Sequence, residues 1–158
     1  MAELFNTFEN ISIDDKGRLS VPASFRKALP REAERTFMII QGTDGCLFAY
    51  PRDQWVVFWR RLKKLNRSRE NTRLIRRILG NLKETKLDGQ GRITLTQPLK
   101  ELLKVKTFVT LVGHGDYLEI WEPEAWRERR ASDDQSVSYD EDLYRAAGEI
   151  DRLKDEQE

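Results

Sequence analysis

Short stretches that alternate between apolar and polar residues, or that are apolar runs, occur in two groups along the chain, one on each side of a longer helical pattern. Alternation with a period of two residues is typical of half-buried β-strands, and short apolar runs are typical of buried ones. In the first group this pattern predicts strands at residues 10–13, 18–21, 37–41 and 47–50. In the second group it predicts strands at residues 84–87, 92–95, 108–112 and 117–121.

The two groups are copies of one motif, because their residues match in the same order. The segment DDKGRLSVPASFRKAL (14–29) aligns with DGQGRITLTQPLKELL (88–103). The identical pairs in this alignment are Asp14 and Asp88, Gly17 and Gly91, Arg18 and Arg92, and Leu29 and Leu103. The downstream segments FMIIQG and CLFAY then match FVTLVG and YLEIW. These ordered matches indicate an internal duplication.

A turn between the first two strands of each copy carries most of the identical residues. Gly17 supplies the left-handed conformation that a tight hairpin needs, and Asp14 can bind the backbone of its own turn. The sequence therefore predicts a hairpin here and an equivalent one at Asp88 and Gly91. Pro22 ends the returning strand and precedes a short predicted helix at 23–29, and the second copy predicts a helix around residues 98–103.

Between the copies, apolar residues recur at helical spacing and predict two helices. The first apolar stripe consists of Trp55, Phe58, Trp59, Leu62 and Leu65, and the second of Leu74, Ile75, Ile78, Leu79 and Leu82. The polar stretch 66–68 separates the helices, and Ser68 can cap the second one. We expect the apolar faces to lie in the core or in a subunit interface, and not to form a ligand pocket.

One copy alone, with four short strands and a helical turn, is too small to bury a sufficient core. We therefore expect the two copies to interlock into one β-barrel about a pseudo-two-fold axis. The predicted fold class is mainly β with flanking helices (α+β). The predicted organisation is a first repeat at residues 8–54, a helical connector at 55–82, a second repeat at 83–126 and a charged tail at 127–158.

The C-terminal tail is polar and acidic. Its segment SDDQS at residues 132–136 is predicted to be a linker. Leu143, Ala147, Ile150 and Leu153 follow at helical intervals and predict a marginal helix, so the tail is expected to be helical or disordered.

The chain is nearly neutral, but its charges are segregated. It has 158 residues, with 28 Lys or Arg, 27 Asp or Glu and a net charge of +1. Residues 60–83 hold ten Lys or Arg and one Glu, whereas residues 119–158 hold fourteen Asp or Glu and six Lys or Arg. Such segregation guides partners even when the total charge is near zero. The basic segment could be a solvated helix surface, contact phosphates, or pair with the acidic tail of a neighbouring copy.

Several classes of protein are excluded by what the sequence lacks. A single cysteine, Cys46, excludes an internal disulfide framework and a cysteine-based zinc site, and a single histidine, His114, excludes a histidine-rich metal site. Cys46 is expected in the core and His114 in a turn. The sequence has no phosphate-binding loop and no nucleophile elbow, so we expect neither enzymatic activity nor a cofactor. It also shows no membrane-spanning segment and no signal peptide, which favours the cytoplasm and no membrane partner.

The duplicated Asp-x-x-Gly-Arg turn, the RLSVP strand and the segment DGCLFAYPRDQW (44–55) closely resemble the MraZ family, over about residues 1–127. The resemblance implies two tandem SpoVT-AbrB domains of the swapped-hairpin type that build a double-split β-barrel, and assembly into ring-shaped homo-oligomers. It implies a nucleoid-associated transcriptional regulator, generally a repressor, that binds double-stranded DNA. The implied target is a set of direct repeats in the promoter of the division and cell-wall gene cluster, which includes its own gene.

The resemblance also implies that the Asp-x-x-x-Arg elements face DNA. By position these elements supply Asp14, Lys16 and Arg18 from the first copy and Asp88 and Arg92 from the second. Further cations expected near this surface are Arg26 and Lys100. The two copies differ in two places, since Gln90 stands where the first copy has Lys16, and Thr96 stands where it has Pro22. The second turn is therefore the less basic of the two.

The chemistry of arginine fits this role, since a guanidinium can contact a phosphate or donate two hydrogen bonds to a guanine edge. A two-stranded β-ribbon fits the major groove and is a rigid mount for such side chains. An aspartate cannot attract phosphate, so Asp14 and Asp88 are expected to orient the arginines by ion pairs or to hold the turns. One chain offers few cations here, which predicts modest affinity that a ring of copies would raise by avidity.

A protein-interaction module is the alternative function. AbrB-like barrels also occur in antitoxins, in which a tail wraps the partner. The acidic tail would then bind a basic protein, such as an RNA-modifying methyltransferase. Loss of DNA binding in Arg18→Ala and Arg92→Ala would favour the regulator, whereas loss of a partner on deletion after Arg130 would favour the module.

Overall fold

The computed structural model describes residues 3–157, which form eight strands and six α-helices. The chain divides into two compact units, Met1–Pro123 and Glu124–Glu158. The elements of the first copy are β1 (Thr7–Ser12), β2 (Arg18–Ser20), α1 (Ala23–Ala28), β3 (Thr36–Gln41) and β4 (Leu47–Pro51). The connecting helices are α2 (Arg52–Lys63) and α3 (Arg69–Asn81). The elements that follow are β5 (Lys83–Lys86), β6 (Arg92–Thr94), α4 (Gln97–Leu103), β7 (Phe108–Gly113), β8 (Leu118–Trp121), α5 (Pro123–Ser136) and α6 (Tyr139–Gln157).

The two copies exchange strands. The main sheet is antiparallel with the order β1-β7-β8-β4-β3-β5, and β2 pairs with β6 in a separate two-stranded sheet. In the main sheet β1 of the first copy lies beside β7 of the second, and β5 of the second copy lies beside β3 of the first. Because these pairings are reciprocal, a pseudo-two-fold axis relates the copies. The prediction of an α+β fold built from two interlocked copies is confirmed.

The predicted hairpins are correct at the turns but wrong in how their strands continue. Ile13 and Leu19 form an antiparallel bridge across the first turn. Beyond that bridge, β1 joins β7 and β2 joins β6. A three-residue strand forms few hydrogen bonds within one hairpin, whereas exchange lets each copy cover the apolar face of the other. The exchange therefore gives one core in place of two insufficient ones.

The main core draws its side chains from both copies. Residues exposed by 1% or less include Leu19, Phe25 and Phe37 from the first copy and Ile93, Leu99 and Leu111 from the second. Leu19 and Ile93 are direct partners in the β2–β6 pair. The ring of Phe25 meets that of Phe8 edge to face, with centroids 5.2 Å apart. The β2–β6 pair is therefore anchored in a core to which both copies contribute.

A second apolar cluster holds α2 and α3 against the main sheet. Its buried members are Ile40, Tyr50, Trp55, Leu62 and Ile78. The first of these helices ends at Lys63 and the second begins after Ser68, whose Oγ accepts a hydrogen bond from the Asn71 N–H at 3.1 Å. The predicted break between the helices and the predicted cap are both confirmed.

The C-terminal unit is helical. Because α5 continues through Ser136, the prediction of a linker at 132–136 is wrong. Within this helix Arg129 pairs with Asp133 at 3.8 Å, and Ser136 Oγ donates to the Asp133 carbonyl at 3.0 Å, so these polar residues satisfy one another locally. The break between the two helices lies between Ser136 and Tyr139. There Ser138 Oγ accepts a hydrogen bond from the Glu141 N–H at 3.1 Å and caps α6. The helix predicted in this last stretch is confirmed.

The single cysteine and the single histidine both lie where the sequence predicts. Cys46 is buried, and burial raises the pKa of its thiol to about 12. His114 lies between β7 and β8, where its ring stacks on Tyr117 with centroids 4.8 Å apart. Across residues 3–157, no helix has the length and apolar character needed to cross a membrane.

Candidate nucleic-acid interface

The first turn is built around the carboxylate of Asp14. Its Oδ1 accepts hydrogen bonds from the backbone N–H groups of Lys16 at 3.0 Å and Arg18 at 2.9 Å. Its Oδ2 accepts a bond from Arg18 Nε at 2.7 Å, and its carbonyl accepts one from the Gly17 N–H at 2.9 Å. The two alternatives left open by the sequence therefore occur together, since Asp14 both holds the turn and orients the arginine.

The second turn repeats this arrangement around Asp88. Its Oδ1 accepts bonds from the backbone N–H groups of Gln90 and Arg92, both at 2.9 Å. Its Oδ2 accepts a bond from Arg92 Nε at 2.8 Å, and its carbonyl accepts one from the Gly91 N–H at 3.0 Å. Because the turn uses only the backbone of residue 90, the change from lysine to glutamine leaves the geometry intact.

These hydrogen bonds favour the charged form of both carboxylates. The backbone N–H of Arg18 lowers the pKa of Asp14, and that of Arg92 lowers the pKa of Asp88. The guanidinium of the same arginine lowers each pKa further, although partial loss of hydration opposes the shift. Each aspartate is therefore ionised at neutral pH and keeps its arginine in a fixed orientation.

Each turn is also held by the other copy. The Gly17 carbonyl accepts a hydrogen bond from the Leu95 N–H at 2.7 Å, and the Gly91 carbonyl accepts one from the Val21 N–H at 3.0 Å. Both glycines have positive φ angles, +80° at Gly17 and +75° at Gly91. A Cβ at Gly17 would lie 2.1 Å from the Leu95 carbonyl oxygen. The close approach of the copies therefore depends on glycine in the first turn.

The two arginines emerge on one face of the β2–β6 ribbon. Arg18 pairs with Thr94, and Ser20 pairs with Arg92. The residues between them, Leu19 and Ile93, are buried, so strand alternation places all four polar side chains on the opposite, outer face. Arg18 and Arg92 are diagonal neighbours, a relation in which the Cα atoms of an antiparallel pair lie about 7–8 Å apart. The ribbon therefore presents two oriented arginines on one face.

The other predicted contact residues are distributed more widely. Lys16 is exposed at the tip of the first turn. Arg26 donates from Nε to the Val21 carbonyl at 3.0 Å, and its side chain covers Gly91. Its counterpart Lys100 lines a separate cavity of about 320 Å³ together with Gln97, Glu101, Lys104, Val105 and Lys106. Arg26 thus supports the second turn, whereas Lys100 belongs to a lysine cluster on α4 and the loop after it.

Sequence reasoning did not single out three residues of this surface. Ser20 and Thr94 share the outer face of the ribbon with the arginines, and strand alternation alone could have identified them. Arg35 donates from Nη2 to the Asp88 carbonyl at 3.3 Å. It is 53 residues away in the chain, so only the tertiary structure brings it to the second turn.

Comparison with known proteins gives the same duplication. A family model described as "MraZ protein, putative antitoxin-like" matches residues 4–78 and again residues 78–149. The chain belongs to the MraZ family. The first matched segment contains the turn at Asp14 and the second contains the turn at Asp88. The resemblance recognised in the sequence is thereby confirmed, and the two turns are equivalent parts of two MraZ repeats.

Curated relatives cover most of the chain and are named Transcriptional regulator MraZ. The relative from Thioalkalivibrio sulfidiphilus is 35% identical over 128 residues, 80% of this chain and 85% of its own. The relative from Methylococcus capsulatus is 36% identical over 124 residues, 78% of this chain and 82% of its own. That from Alkaliphilus metalliredigens is 38% identical over 133 residues, 84% of this chain and 89% of its own.

Proposed function

We propose that this MraZ family member is a transcriptional regulator that binds double-stranded DNA through the outer face of the β2–β6 ribbon. The observation that carries the proposal is the pair of outward arginines, Arg18 and Arg92, each held by an ion pair of 2.7–2.8 Å to an aspartate of its own turn. Arginine is the side chain most often used to contact guanine in the major groove. The names of the relatives support the same function.

The dimensions of the ribbon suit the major groove. That groove admits a two-stranded β-ribbon. The two arginines occupy different positions along the ribbon, so they would address different base positions. Both ion pairs use Nε, which leaves the terminal nitrogens of Arg18 and Arg92 to form forked contacts with base edges. Thr94 lies across from Arg18 and Ser20 lies across from Arg92, and their hydroxyls on the same face can contact bases or phosphates.

The turns themselves carry little net charge. Asp14 and Asp15 offset Lys16 and Arg18 in the first turn, and Asp88 offsets Arg92 in the second. Most of the attraction to phosphate must therefore come from cations outside the turns, and Arg26 and the cluster around Lys100 are suitably basic. Few phosphate contacts per chain give modest affinity. A ring-shaped homo-oligomer would present many ribbons to one DNA molecule and raise the affinity by avidity.

A ring of identical chains favours a repeated binding site. Several identical ribbons on one assembly are best matched by direct repeats of one short sequence. We place these repeats in the promoter of the division and cell-wall gene cluster that includes the chain's own gene. Occupation of a promoter by such an assembly would block transcription, so we propose a nucleoid-associated repressor.

The test is a binding titration with DNA from upstream of the chain's own gene. Fluorescence anisotropy should show tighter binding to this DNA than to unrelated DNA of equal length, with affinity falling between about 50 and 200 mM salt. The double variant Arg18→Ala/Arg92→Ala should lose at least about 30-fold in affinity, because each forked contact contributes about 1–3 kcal/mol.

A matched control removes two cations from α5. Arg127→Ala/Arg130→Ala changes the net charge by the same amount but leaves the ribbon intact. It should keep the affinity of the unmodified chain. Unchanged binding by the ribbon variant, or equal binding to both DNA molecules, would contradict the proposal.

A further inference from the structure

The helices α2 and α3 enclose an apolar groove with a cationic rim. The groove is a cavity of about 200 Å³ whose apolar wall is formed by Trp59, Leu62, Leu65 and Ile75. Leu65 is 41% exposed although it is large and apolar. Lys63 and Arg67 line the same cavity, and both are exposed. An apolar groove edged by cations is suited to an amphipathic helix with acidic flanks.

The C-terminal helix α6 has this character. Its apolar residues Tyr139, Leu143, Ile150 and Leu153 recur at intervals of three, four and seven, so they form one stripe on the helix. Leu143, Ile150 and Leu153 are each more than half exposed, at 52%, 51% and 56%. At about 1.5 Å per residue the stripe is about 21 Å long, whereas only the last turn of α2, from Trp59 to Lys63, lines the groove. The centre of the stripe is therefore the part that the groove can hold.

The charges of α6 are arranged around this stripe. With 3.6 residues per turn, Asp140 and Asp151 lie along one edge of the stripe, and Asp142 and Glu149 lie along the other. Arg145 reaches the second edge, where it pairs with Glu149 at 3.3 Å and with Asp142 at 3.8 Å. Exposed pairs of this kind contribute little stability and exchange readily. Both edges of the stripe are thus acidic, which complements the rim of the groove.

We propose that α6 of one copy lies in the α2–α3 groove of a second copy. Leu65 at the edge of the groove and Leu143 and Ile150 in the stripe are large apolar side chains that the single chain leaves exposed. The contact would bury Leu143 and Ile150 against Trp59 and Leu65. It would also bring the acidic edges of the helix to Lys63 and Arg67.

Such a contact joins two different surfaces of the same chain. Interfaces of this head-to-tail kind add one copy after another and close into a ring when the rotation permits. The inference rests on the proposed self-assembly and names the surfaces that would produce it. It also gives the acidic tail a basic protein partner, which is the basic helical pair of a neighbouring copy.

Two double variants of the full chain test the two surfaces. Lys63→Glu/Arg67→Glu reverses the rim of the groove, and Leu143→Ser/Ile150→Ser removes the centre of the stripe. Each should weaken self-association at least about tenfold in analytical ultracentrifugation, since like charges or lost apolar contacts then meet at the interface. Circular dichroism and thermal unfolding should show that each variant keeps its fold, because the altered side chains are exposed.

Matched controls make the same kinds of change outside the proposed interface. Arg73→Glu/Arg77→Glu changes the net charge by the same amount as the rim variant, but Arg77 lines a different cavity with Gln41, Gly42, Leu74 and Ile78. Tyr144→Ser removes an exposed aromatic residue from α6 about a third of a turn from the stripe. Both controls should assemble within about twofold of the unmodified chain.

Mixing the two disrupted variants gives the decisive result. The rim variant keeps an intact stripe and the stripe variant keeps an intact groove, so the mixture should form complexes with one copy of each. Native mass spectrometry distinguishes them by mass. If α6 instead packs in the groove of its own chain, no mixed complex should form. Absence of the mixed complex would overturn the proposal.

Other outcomes also count against this interface. If the unmodified chain assembles and both variants assemble equally well, another surface forms the oligomer. If the unmodified chain stays monomeric, self-assembly itself fails, while DNA binding by the ribbon is judged separately. If the rim variant loses DNA affinity but assembles normally, the groove helices bind phosphate and the proposal is wrong.

Discussion

The two Asp-x-x-Gly-Arg turns are alike in their internal bonding and differ in their surroundings. The bond from the arginine Nε to the aspartate Oδ2 measures 2.7 Å in the first turn and 2.8 Å in the second. The first turn, however, lies against backbone, since the space beside Gly17 is filled by the Leu95 carbonyl. The second turn lies against a side chain, since the space beside Gly91 is filled by Arg26.

This difference shows that a motif and its setting are determined separately. The Asp-x-x-Gly-Arg motif needs only its own backbone and side chains to form the turn, so both copies form it identically. The residues that pack against each turn come from the other copy. The copies differ at these residues, since the first has Arg26 where the second has Lys100. Equivalent substitutions in the two turns should therefore have unequal effects wherever the other copy is involved.

The largest difference is expected at the two glycines. Gly17→Ala should lower the free energy of unfolding by at least about 3 kcal/mol, because it combines an unfavourable φ with a clash against backbone that cannot move aside. Gly91→Ala should cost about 1–2 kcal/mol, because the flexible Arg26 side chain can shift. Urea denaturation measures both values.

Gly45→Ala is the matched control for backbone strain. Gly45 also has a positive φ, +87°, but a Cβ there would meet nothing within 4 Å. Gly45→Ala should lower the free energy of unfolding by about as much as Gly91→Ala. Equal losses at Gly17 and Gly45 would show that the copies do not approach as closely as described here.

The next largest effects concern the arginines one at a time. Arg18→Ala and Arg92→Ala should each weaken binding to the upstream DNA by about 1–3 kcal/mol, because each removes one forked contact. Each should relax the preference at a different base position, because the two arginines occupy different positions along the ribbon. Anisotropy titrations against operators with single base changes would show this, and relaxation at the same position by both variants would contradict the ribbon geometry.

A smaller effect is expected from the position at which the turns differ. If each lysine contacts one phosphate, Lys16→Gln should reduce the magnitude of the slope of log affinity against log salt by about 0.9. Gln90→Lys should increase that magnitude by a similar amount. Stability should not change, since both turns use only the backbone at this position. Opposite shifts in the two variants would confirm equivalent roles, and unchanged slopes would place both side chains away from DNA.

The smallest effect is the pH dependence of the two aspartates. Their pKa values are lowered in the folded chain, so the folded state binds fewer protons than the unfolded state in acid. Their stabilising contribution is complete above the ordinary aspartate pKa and is lost as the pH falls through the lowered value. Asp14→Asn/Asp88→Asn should therefore flatten the fall in stability between about pH 5 and pH 2.

Asp15→Asn is the control for this experiment, since it removes one negative charge from the first turn and leaves the Arg18 pair in place. It should reproduce the pH dependence of the unmodified chain. If the double variant shows the same acid loss as the control, the ion pairs do not contribute to stability.

Local features of the fold were predictable because they depend on neighbouring residues. Alternating or apolar stretches located the strands, the spacing of Asp14, Gly17 and Arg18 located the turn, and Ser68 marked the start of α3. The linker predicted at 132–136 failed for a related reason. Its Ser and Asp residues are common in loops, but here they bond within a helix that already continues from Pro123.

From the sequence alone we could predict two copies of one motif, each with an aspartate that orients an arginine or holds its turn. These properties arise from interactions over at most a few residues, which a single copy can satisfy alone. The tertiary structure decided which strands pair, that Arg18 and Arg92 share one face, and that Leu95, Arg26 and Arg35 support the turns. These contacts join residues far apart in the chain, and they form because neither copy can bury its apolar face without the other.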